Sequence, residues 1–255
     1  MVDPSASIPP IYRSTQPMKM LTSYRQCLIT LPRMVRSGLV RLVRDGPRKA
    51  VGHAIYRVTE QWYERRLNID STAVIELSEF GLHDHRLLEC RPTDYRTIRR
   101  AFRALPIRPA IDVLLDVGAG TGRVLVMAGT FPFRRIIGVE LVPQLADKAR
   151  ENVRQAGPRL RCKDITVFTA DATTFEISPE ITVFYFYNSF WGEFLERTFE
   201  NIRTSLRTSP RQHIIVSVRP ASAEEGWIGQ QPWLRRTRVI RDLRDANVFF
   251  YEATG

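Results

Sequence analysis

A strand that runs directly into a glycine-rich turn constrains the fold of this chain most strongly. Residues 113–117 are apolar apart from Asp116, and Gly118, Gly120 and Gly122 follow within five positions. Glycine adopts positive φ angles without strain and leaves main-chain N–H groups open to a ligand. A strand, such a turn and a helix in succession predict an open parallel sheet with a ligand site at the carboxyl ends of its strands.

Strand and helix patterns alternate along the chain from this point. Short apolar runs predict strands at 113–117, 135–140, 165–169, 181–187 and 213–218, and residues 239–251 predict a closing hairpin. Helical patterns lie between them, from about Gly122, over 143–155 and around 195–206, and an earlier helix follows Thr93, which can cap it. Strands joined by helical crossovers predict an α/β, doubly wound, mostly parallel sheet with helices on both faces.

The first 110 residues carry most of the positive charge. They hold 19 basic and 10 acidic residues, in a chain of 255 residues whose formal net charge is +11. Residues 1–18 are rich in proline and serine and predict disorder, and residues 19–90 predict a basic, mostly helical extension with helices over 20–31, 33–44 and 51–67. Such helices can bind an anionic membrane surface, nucleic acid or a partner protein, or can pack on the domain expected over 91–255.

Cysteine usage and hydropathy favour a cytoplasmic protein. Cys27, Cys90 and Cys162 are widely spaced, which is typical of reduced thiols rather than of a disulfide framework. The N-terminal residues lack the pattern of a secretory signal, and no apolar run is long enough to span a bilayer. His83 and His85 have no suitably spaced third ligand, so we expect no structural metal.

Acidic residues near the strand ends indicate which ligand this site suits. The dinucleotide fingerprint has its third glycine where this chain has Arg123, and Asp116 would repel a pyrophosphate but attract an ammonium or sulfonium. Glu140, at the end of the second strand, can accept hydrogen bonds from ribose hydroxyls, and Asp171, after the third, can accept one from an adenine amino group. An amine, a ribose and an adenine without a pyrophosphate describe S-adenosylmethionine.

Three segments resemble the motifs of the class I S-adenosylmethionine-dependent methyltransferases. The run DVGAGTGR at 116–123 is similar to the first motif, GVEL at 138–141 to the second and ADA at 170–172 to the third. The resemblance covers about residues 90–255. It implies a seven-stranded sheet in the order 3-2-1-4-5-7-6 with its last strand antiparallel, and S-adenosylmethionine as the cofactor.

The same resemblance implies roles for individual residues. Gly118, Gly120 and Gly122 would line the methionine portion of the cofactor, with Ala119 between them in the first motif. Asp116 would anchor the amino group of that portion, directly or through water. The second motif would hold the ribose through Glu140, beside Leu141, and the third would recognise adenine through Asp171 and the backbone of Ala172.

A narrower resemblance concerns the methyl acceptor. The segments RPTDY at 91–95 and YNSF at 187–190 are similar to those of bacterial proteins distantly related to the histone lysine methyltransferases that lack a SET domain. Those proteins usually carry Asn-Pro-Phe after the fourth strand, and here Ser189 replaces the proline. The resemblance implies that Asn188 contacts the acceptor nitrogen, and Tyr95 is a further candidate for orienting it or removing its proton.

These observations predict an enzyme that methylates a nitrogen, with a protein side chain as the leading acceptor. A base amine of a nucleic acid is an alternative acceptor, because the basic front of the chain can hold phosphates. A second alternative is a non-catalytic binding module, in which the basic helices bind a partner and the methyltransferase-like fold serves as a scaffold.

Overall fold

The structure is a computed structural model that describes residues 47–84, 87, 89–187, 191–218, 222–241 and 247–253. The disorder predicted for 1–18 and the helices predicted over 20–31 and 33–44 lie outside the described residues. The chain divides into two compact units, and the boundary between them falls between Arg66 and Leu67.

One helix, α1, covers all the described residues of the first unit, which spans Thr15–Arg66. It spans Pro47–Leu67, so the helix predicted over 51–67 is confirmed and begins earlier, at a proline that suits a first helical turn. Val51, Ile55, Val58 and Trp62 are each about half exposed, and their spacing of four, three and four puts them on one face of α1.

A seven-stranded sheet forms the second unit, in the order β3-β2-β1-β4-β5-β7-β6. Neighbouring strands are parallel except at β7, which runs antiparallel to both β5 and β6. Both the order and the antiparallel last strand confirm the sequence-based expectation. The strands are β1 Val113–Val117, β2 Arg135–Glu140, β3 Ile165–Thr169, β4 Ile181–Phe186, β5 Ile214–Val218, β6 Leu234–Ile240 and β7 Val248–Ala253.

Helices connect these strands, and the first of them begins at a residue whose side chain caps it. The helices are α2 Tyr95–Arg103, α3 Arg123–Gly129, α4 Pro143–Ala156, α5 Glu193–Thr208 and α6 Ser222–Gly229. The cap of α2 corrects the sequence analysis, because Asp94 and not Thr93 is the N-cap. The Asp94 carboxylate accepts from the Thr97 N–H at 2.9 Å, which satisfies a donor that the first helical turn leaves open.

The buried core puts the carboxyl ends of four parallel strands along one edge. All residues of β1 and β4 are buried, which explains why both read as continuous apolar strands in the sequence. In the order of the sheet, the residues that follow β3, β2, β1 and β4 succeed one another along this edge. Asp171, Glu140, Gly118 and Tyr187 therefore come from neighbouring strand ends.

Candidate active site

The glycine-rich turn after β1 adopts backbone conformations that favour glycine. Gly118, Gly120 and Gly122 have φ angles of 77°, 53° and 81°. The N–H groups of Gly118 and Ala119 both donate to the carbonyl of Val139, at 2.9 and 3.0 Å, which fixes the turn to the end of β2. The turn therefore presents backbone rather than side chains to the edge of the sheet.

Close packing is a second reason why two of these positions require glycine. A Cβ at Gly120 would lie 2.8 Å from the Cys90 sulfur, and one at Gly122 would lie 2.9 Å from the Cβ of Ala149 in α4. Gly120 is thus overlain by the segment that precedes α2. Gly122 serves the contact between the turn and α4.

The carboxylate of Glu140 ties the turn to the second strand end. Its Oε2 accepts from the Gly120 N–H at 2.7 Å, and its Oε1 accepts from the Val142 N–H at 3.0 Å. Burial raises the pKa of Glu140, although these backbone hydrogen bonds act in the opposite direction. Each carboxylate oxygen has a second lone pair, so Glu140 can also accept hydrogen bonds from the hydroxyls of a ligand.

The carboxyl of Asp116 has one oxygen that no residue in the described part of the chain satisfies. Asp116 is 2% exposed, and its Oδ2 has no hydrogen-bond partner among the described residues. Burial, followed by the charge of Glu140, raises the pKa of Asp116 well above its ordinary value. A buried carboxyl that lines a cleft can be satisfied by a cationic ligand, and the ammonium of S-adenosylmethionine fits that need.

One cleft, with an empty volume of about 1070 Å³, brings most of the predicted cofactor residues together. Gly122 does not line it, which agrees with its packing on α4. The predicted residues that line the cleft are Asp116, Gly118, Ala119, Gly120, Glu140, Leu141, Asp171 and Ala172.

Asp171 also has a local structural role. Its Oδ1 accepts from both the backbone N–H and the hydroxyl of Thr173, each at 2.8 Å. These bonds close the turn after β3 and hold the carboxylate at the rim of the cleft. Closing this turn is compatible with recognition of an adenine, because the second carboxylate oxygen can still accept from a ligand.

Residues ahead of α2 form a wall of the cleft that the sequence analysis assigned to a separate extension. The lining residues from this wall include Leu77, Leu82, Leu87, Glu89 and Cys90. Cys90 and Ile75 exchange two backbone hydrogen bonds of 2.9 and 3.0 Å, which fold the segment back on itself over the glycine-rich turn. Burial raises the pKa of the Cys90 thiol to about 12, so the sulfur packs as a protonated thiol.

Arg123 joins this wall to the glycine-rich turn. Its guanidinium donates to the Ser71 hydroxyl at 2.9 Å, to the Ser71 carbonyl at 3.1 Å and to the Thr93 carbonyl at 2.9 Å. It also lies over the ring of Tyr95, 4.3 Å from the ring centre. The residue that stands where the dinucleotide fingerprint has its third glycine is therefore a buried arginine with a structural role.

The two predicted catalytic residues have different outcomes in the structure. Tyr95 is fully buried, is not among the residues that line the cleft, and has its hydroxyl 3.4 Å from the Ser71 Oγ. Asn188 lies outside the described residues, but Tyr187 immediately before it lines the cleft.

The described part of the chain contains neither a metal cluster nor a membrane-spanning helix. Among the described residues there is no group of three His, Cys, Asp or Glu side chains that could hold a metal ion. None of the described helices is both long and apolar enough to cross a bilayer.

The comparisons with known proteins agree with this geometry. A family model described as a methyltransferase domain matches residues 114–209. No curated protein matches the chain. The chain is similar in fold to a human methyltransferase 10 domain containing protein, with 15% identity, coverage of 79% of this chain and 97% of that one, and a TM-score of 0.52.

Two bacterial structures are also similar. TrmN from Thermus thermophilus is 17% identical, with coverage of 64% of this chain and 49% of that one and a TM-score of 0.51. An RNA methyltransferase from Salinibacter ruber, in complex with S-adenosyl-L-homocysteine, is 24% identical, with coverage of 64% and 93% and a TM-score of 0.49. The strand order, the turn between Asp116 and Glu140, and the family match at 114–209 lead to one assignment. This chain contains a class I S-adenosylmethionine-dependent methyltransferase domain and is an enzyme that uses that cofactor.

Proposed function

We propose that this enzyme transfers a methyl group to a nitrogen of a protein side chain. The observation that carries the proposal is the chemistry of the wall ahead of α2, whose described residues at the cleft are apolar or acidic apart from Arg91 and Thr93. The bound cofactor supplies a methyl group activated by a sulfonium. The protein therefore has to position the acceptor in line with that methyl group and leave its lone pair free.

Cofactor binding is assigned to the residues along the strand-end edge. Asp171 and the backbone of Ala172 recognise the adenine, Glu140 accepts from the ribose hydroxyls, and Asp116 binds the ammonium of the methionine portion. Support comes from the sheet order, which brings these residues from neighbouring strands, and from the hydrogen-bond capacity of the two buried carboxyls. Gly118 and Gly120 allow the close approach of the ligand to the turn.

The acceptor side favours a cationic amine over a phosphate-bearing substrate. Glu89 lines the cleft and binds Arg91, whose Nε donates to Glu89 Oε1 at 2.8 Å, so the charge of this arginine is compensated locally. Glu76 adds negative charge near the same arginine. A lysine or arginine side chain approaching this rim would meet carboxylates, whereas a phosphate would be repelled.

Asn188 and Tyr95 keep distinct proposed roles. The proposed role of Asn188, which directly follows the cleft residue Tyr187 in the sequence, is to accept from the acceptor nitrogen through its side-chain oxygen and so aim the lone pair at the methyl group. Tyr95 is proposed as a positioning residue, because its hydroxyl lies 3.4 Å from the Ser71 Oγ and its ring lies against the guanidinium of Arg123, which lines the cleft.

The test combines calorimetry with a transfer assay. Wild type, Glu140→Ala, Asp171→Ala and the control Glu151→Ala, which alters a residue of α4 that does not line the cleft, are titrated with S-adenosylhomocysteine. They are then incubated with cell extract and methyl-labelled S-adenosylmethionine. We expect both site variants, but not the control, to bind more weakly and to transfer less label, and we expect the label to be removed by protease and to resist nuclease. Label that nuclease removes would contradict the protein acceptor.

A base amine of a nucleic acid is the second candidate, and a surface formed where α2 meets the end of β6 favours it. Exposed arginines of α2 and β6 meet there, because Arg238 donates to the Ala104 carbonyl at 3.0 Å and Arg100 donates to the Arg241 carbonyl at 3.2 Å. Arginine clusters bind phosphates with a strong dependence on salt. Salt-sensitive binding of RNA or DNA that Arg238→Ala weakens would support this candidate, and cofactor binding without any transfer would support the non-catalytic module.

A further inference from the structure

A second concave surface lies between α5, α6 and the residue that precedes β6. It is an open groove with an empty volume of about 560 Å³, and its lining includes Phe199 of α5, Trp227 of α6 and Trp233. None of the described residues that line it also lines the cleft with the predicted cofactor residues. The aromatic groove, as we call this surface, is therefore not explained by cofactor binding.

Three rings give the aromatic groove a floor and two walls. Phe199 is fully buried, and the rings of Trp227 and Trp233 stand edge-on to it with ring centres 5.5 and 6.3 Å from its own. Both tryptophans are only half-buried, so part of each indole faces solvent. Tryptophan attracts a cation more strongly than tyrosine or phenylalanine does.

Two glutamates of α5 add negative charge to the rim of the aromatic groove. Glu196 and Glu200 are exposed, lie one helical turn apart and both line it. Within the described part of the chain, no cationic side chain forms an ion pair with Glu196. Arg197 also lines the groove, but its guanidinium is bound by Glu193. A cation that enters would therefore meet two indoles and a carboxylate that is not neutralised.

Arg203 shows that a cation suits this combination of groups. Its guanidinium carbon lies 6.0 Å from the centre of the Trp233 ring, and its Nη1 lies 3.4 Å from Oε2 of Glu200. The lining offers an indole and a carboxylate a second time, in Trp227 and Glu196. The second pair is open to a cation from another molecule.

Helix α5 connects the aromatic groove to the cleft. Phe194, in its first turn, lines the cleft, whereas Glu196 and Glu200 line the groove. Phe194 and Glu200 are six positions apart, which at about 1.5 Å per residue corresponds to about 9 Å along the helix axis. An extended peptide covers that distance with about three residues, at about 3.3 Å each.

We propose that the aromatic groove binds a lysine or arginine side chain of the protein substrate, about three residues from the methylated side chain. The inference rests on the proposed protein acceptor and adds a requirement for a second cationic residue near it. A neutral side chain would leave the carboxylates unused, and an acidic one or a phosphate would be repelled. The groove would thus contribute to substrate affinity and selection without contact to the methyl group.

The test measures binding of three synthetic peptides to the full-length protein by calorimetry. In these peptides glycine alternates with lysine, with norleucine, which has a similar aliphatic chain without the charge, or with glutamate. We expect the lysine peptide to bind at least about tenfold more tightly than the other two. Trp227→Leu and Glu196→Gln should each weaken the lysine peptide about three- to tenfold.

Two controls separate this effect from a loss of folding. Glu176→Gln neutralises an exposed glutamate that lines neither the groove nor the cleft, and should leave the affinity for the lysine peptide unchanged. S-Adenosylhomocysteine should bind equally to wild type and all three variants. Because Glu196 is exposed, Glu196→Gln keeps the test valid even where Trp227→Leu lowers the stability.

Equal affinity of wild type, Trp227→Leu and Glu196→Gln for the lysine peptide would overturn the inference, as would equal binding of the lysine and norleucine peptides. Transfer of labelled methyl groups to cell extract distinguishes this failure from that of the proposed function. Label that protease removes, transferred as fast by both variants as by wild type, would overturn the aromatic groove alone. Label that nuclease removes would overturn the protein acceptor and, with it, the role of the groove in substrate binding.

Discussion

The guanidinium of Arg123 lies 4.3 Å from the centre of the Tyr95 ring and joins the helix after the glycine-rich turn to the wall of the cleft. Arg123 is 3% exposed, and its hydrogen bonds reach Ser71 and Thr93, which are 52 and 30 residues earlier in the chain. The contact therefore stabilises a long-range closure of the wall over the turn.

Arg123→Ala should lower the free energy of unfolding by about 2–4 kcal/mol, because it leaves buried carbonyls without their donors. Chemical denaturation measures this change. Arg96→Ala, which truncates an exposed arginine of α2, should change the stability by less than about 0.5 kcal/mol. Equal effects of the two substitutions would show that the buried network contributes nothing.

Two glycines provide a matched test of the turn. Gly122 has a φ of 81°, and an added Cβ would approach backbone atoms of Ala149, whereas Gly226 lies in α6 with open space around it. Gly122→Ala should cost about 2 kcal/mol or more, and Gly226→Ala should be neutral or stabilise by up to about 1 kcal/mol. Thermal unfolding measures both, and a Gly122→Ala variant as stable as wild type would contradict the packing of the turn on α4.

The sheet and the presence of Asp116 and Glu140 at the cleft could be predicted because their signals are local. A short, mostly apolar run such as β1 predicts a buried strand wherever it lies in a chain. The turn after β1 needs glycine at particular positions, and these glycines are visible in the sequence. Asp116 and Glu140 could be placed at the site because the carboxyl ends of parallel strands share one edge.

The wall of the cleft could not be predicted for the opposite reason. The described residues between α1 and α2 form one short 3₁₀ helix, Leu77–Phe80, and an isolated bridge between Ile75 and Cys90, and their position depends on contacts with residues far along the chain. Cys90 reaches Gly120 only in the folded protein, and nothing in the local pattern around Arg123 indicates its partners. The choice of Asp94 over Thr93 as a helix cap likewise depends on one residue of register.

His213 should make stability depend on mild acid. Its Nε2 accepts from the Ala253 N–H at 3.0 Å, so the proton of the neutral ring is on Nδ1, which donates to the Arg211 carbonyl at 2.9 Å. Burial lowers the pKa of His213 below its ordinary value of about 6.5, so its contribution is present above that pH and is lost as the pH falls toward the folded-state pKa.

His213→Leu should therefore lower the free energy of unfolding by about 1 kcal/mol near neutral pH. It should also make that free energy less dependent on pH below neutral pH. Denaturant unfolding across this range measures both effects. His83→Leu is the control, because His83 lies exposed in a loop. If the free energy of unfolding of His213→Leu fell with decreasing pH as steeply as that of wild type, the pH dependence would belong to other groups.

We expect the buried carboxyl of Asp116, in the proposed cofactor site, to lower the stability of the ligand-free protein. Because burial raises its pKa in the folded state, its contribution to stability is full below the unfolded value of about 3.9 and is lost as the pH rises through the folded-state pKa. Asp116→Asn should therefore raise the thermal midpoint near neutral pH without ligand, and should weaken S-adenosylhomocysteine at least about tenfold. Asp112→Asn should have the opposite effect on the midpoint, because the Asp112 carboxylate binds Arg108 at 2.6 Å. An Asp116→Asn protein that is less stable than wild type without ligand would mean that the carboxyl already has a favourable partner in the free fold.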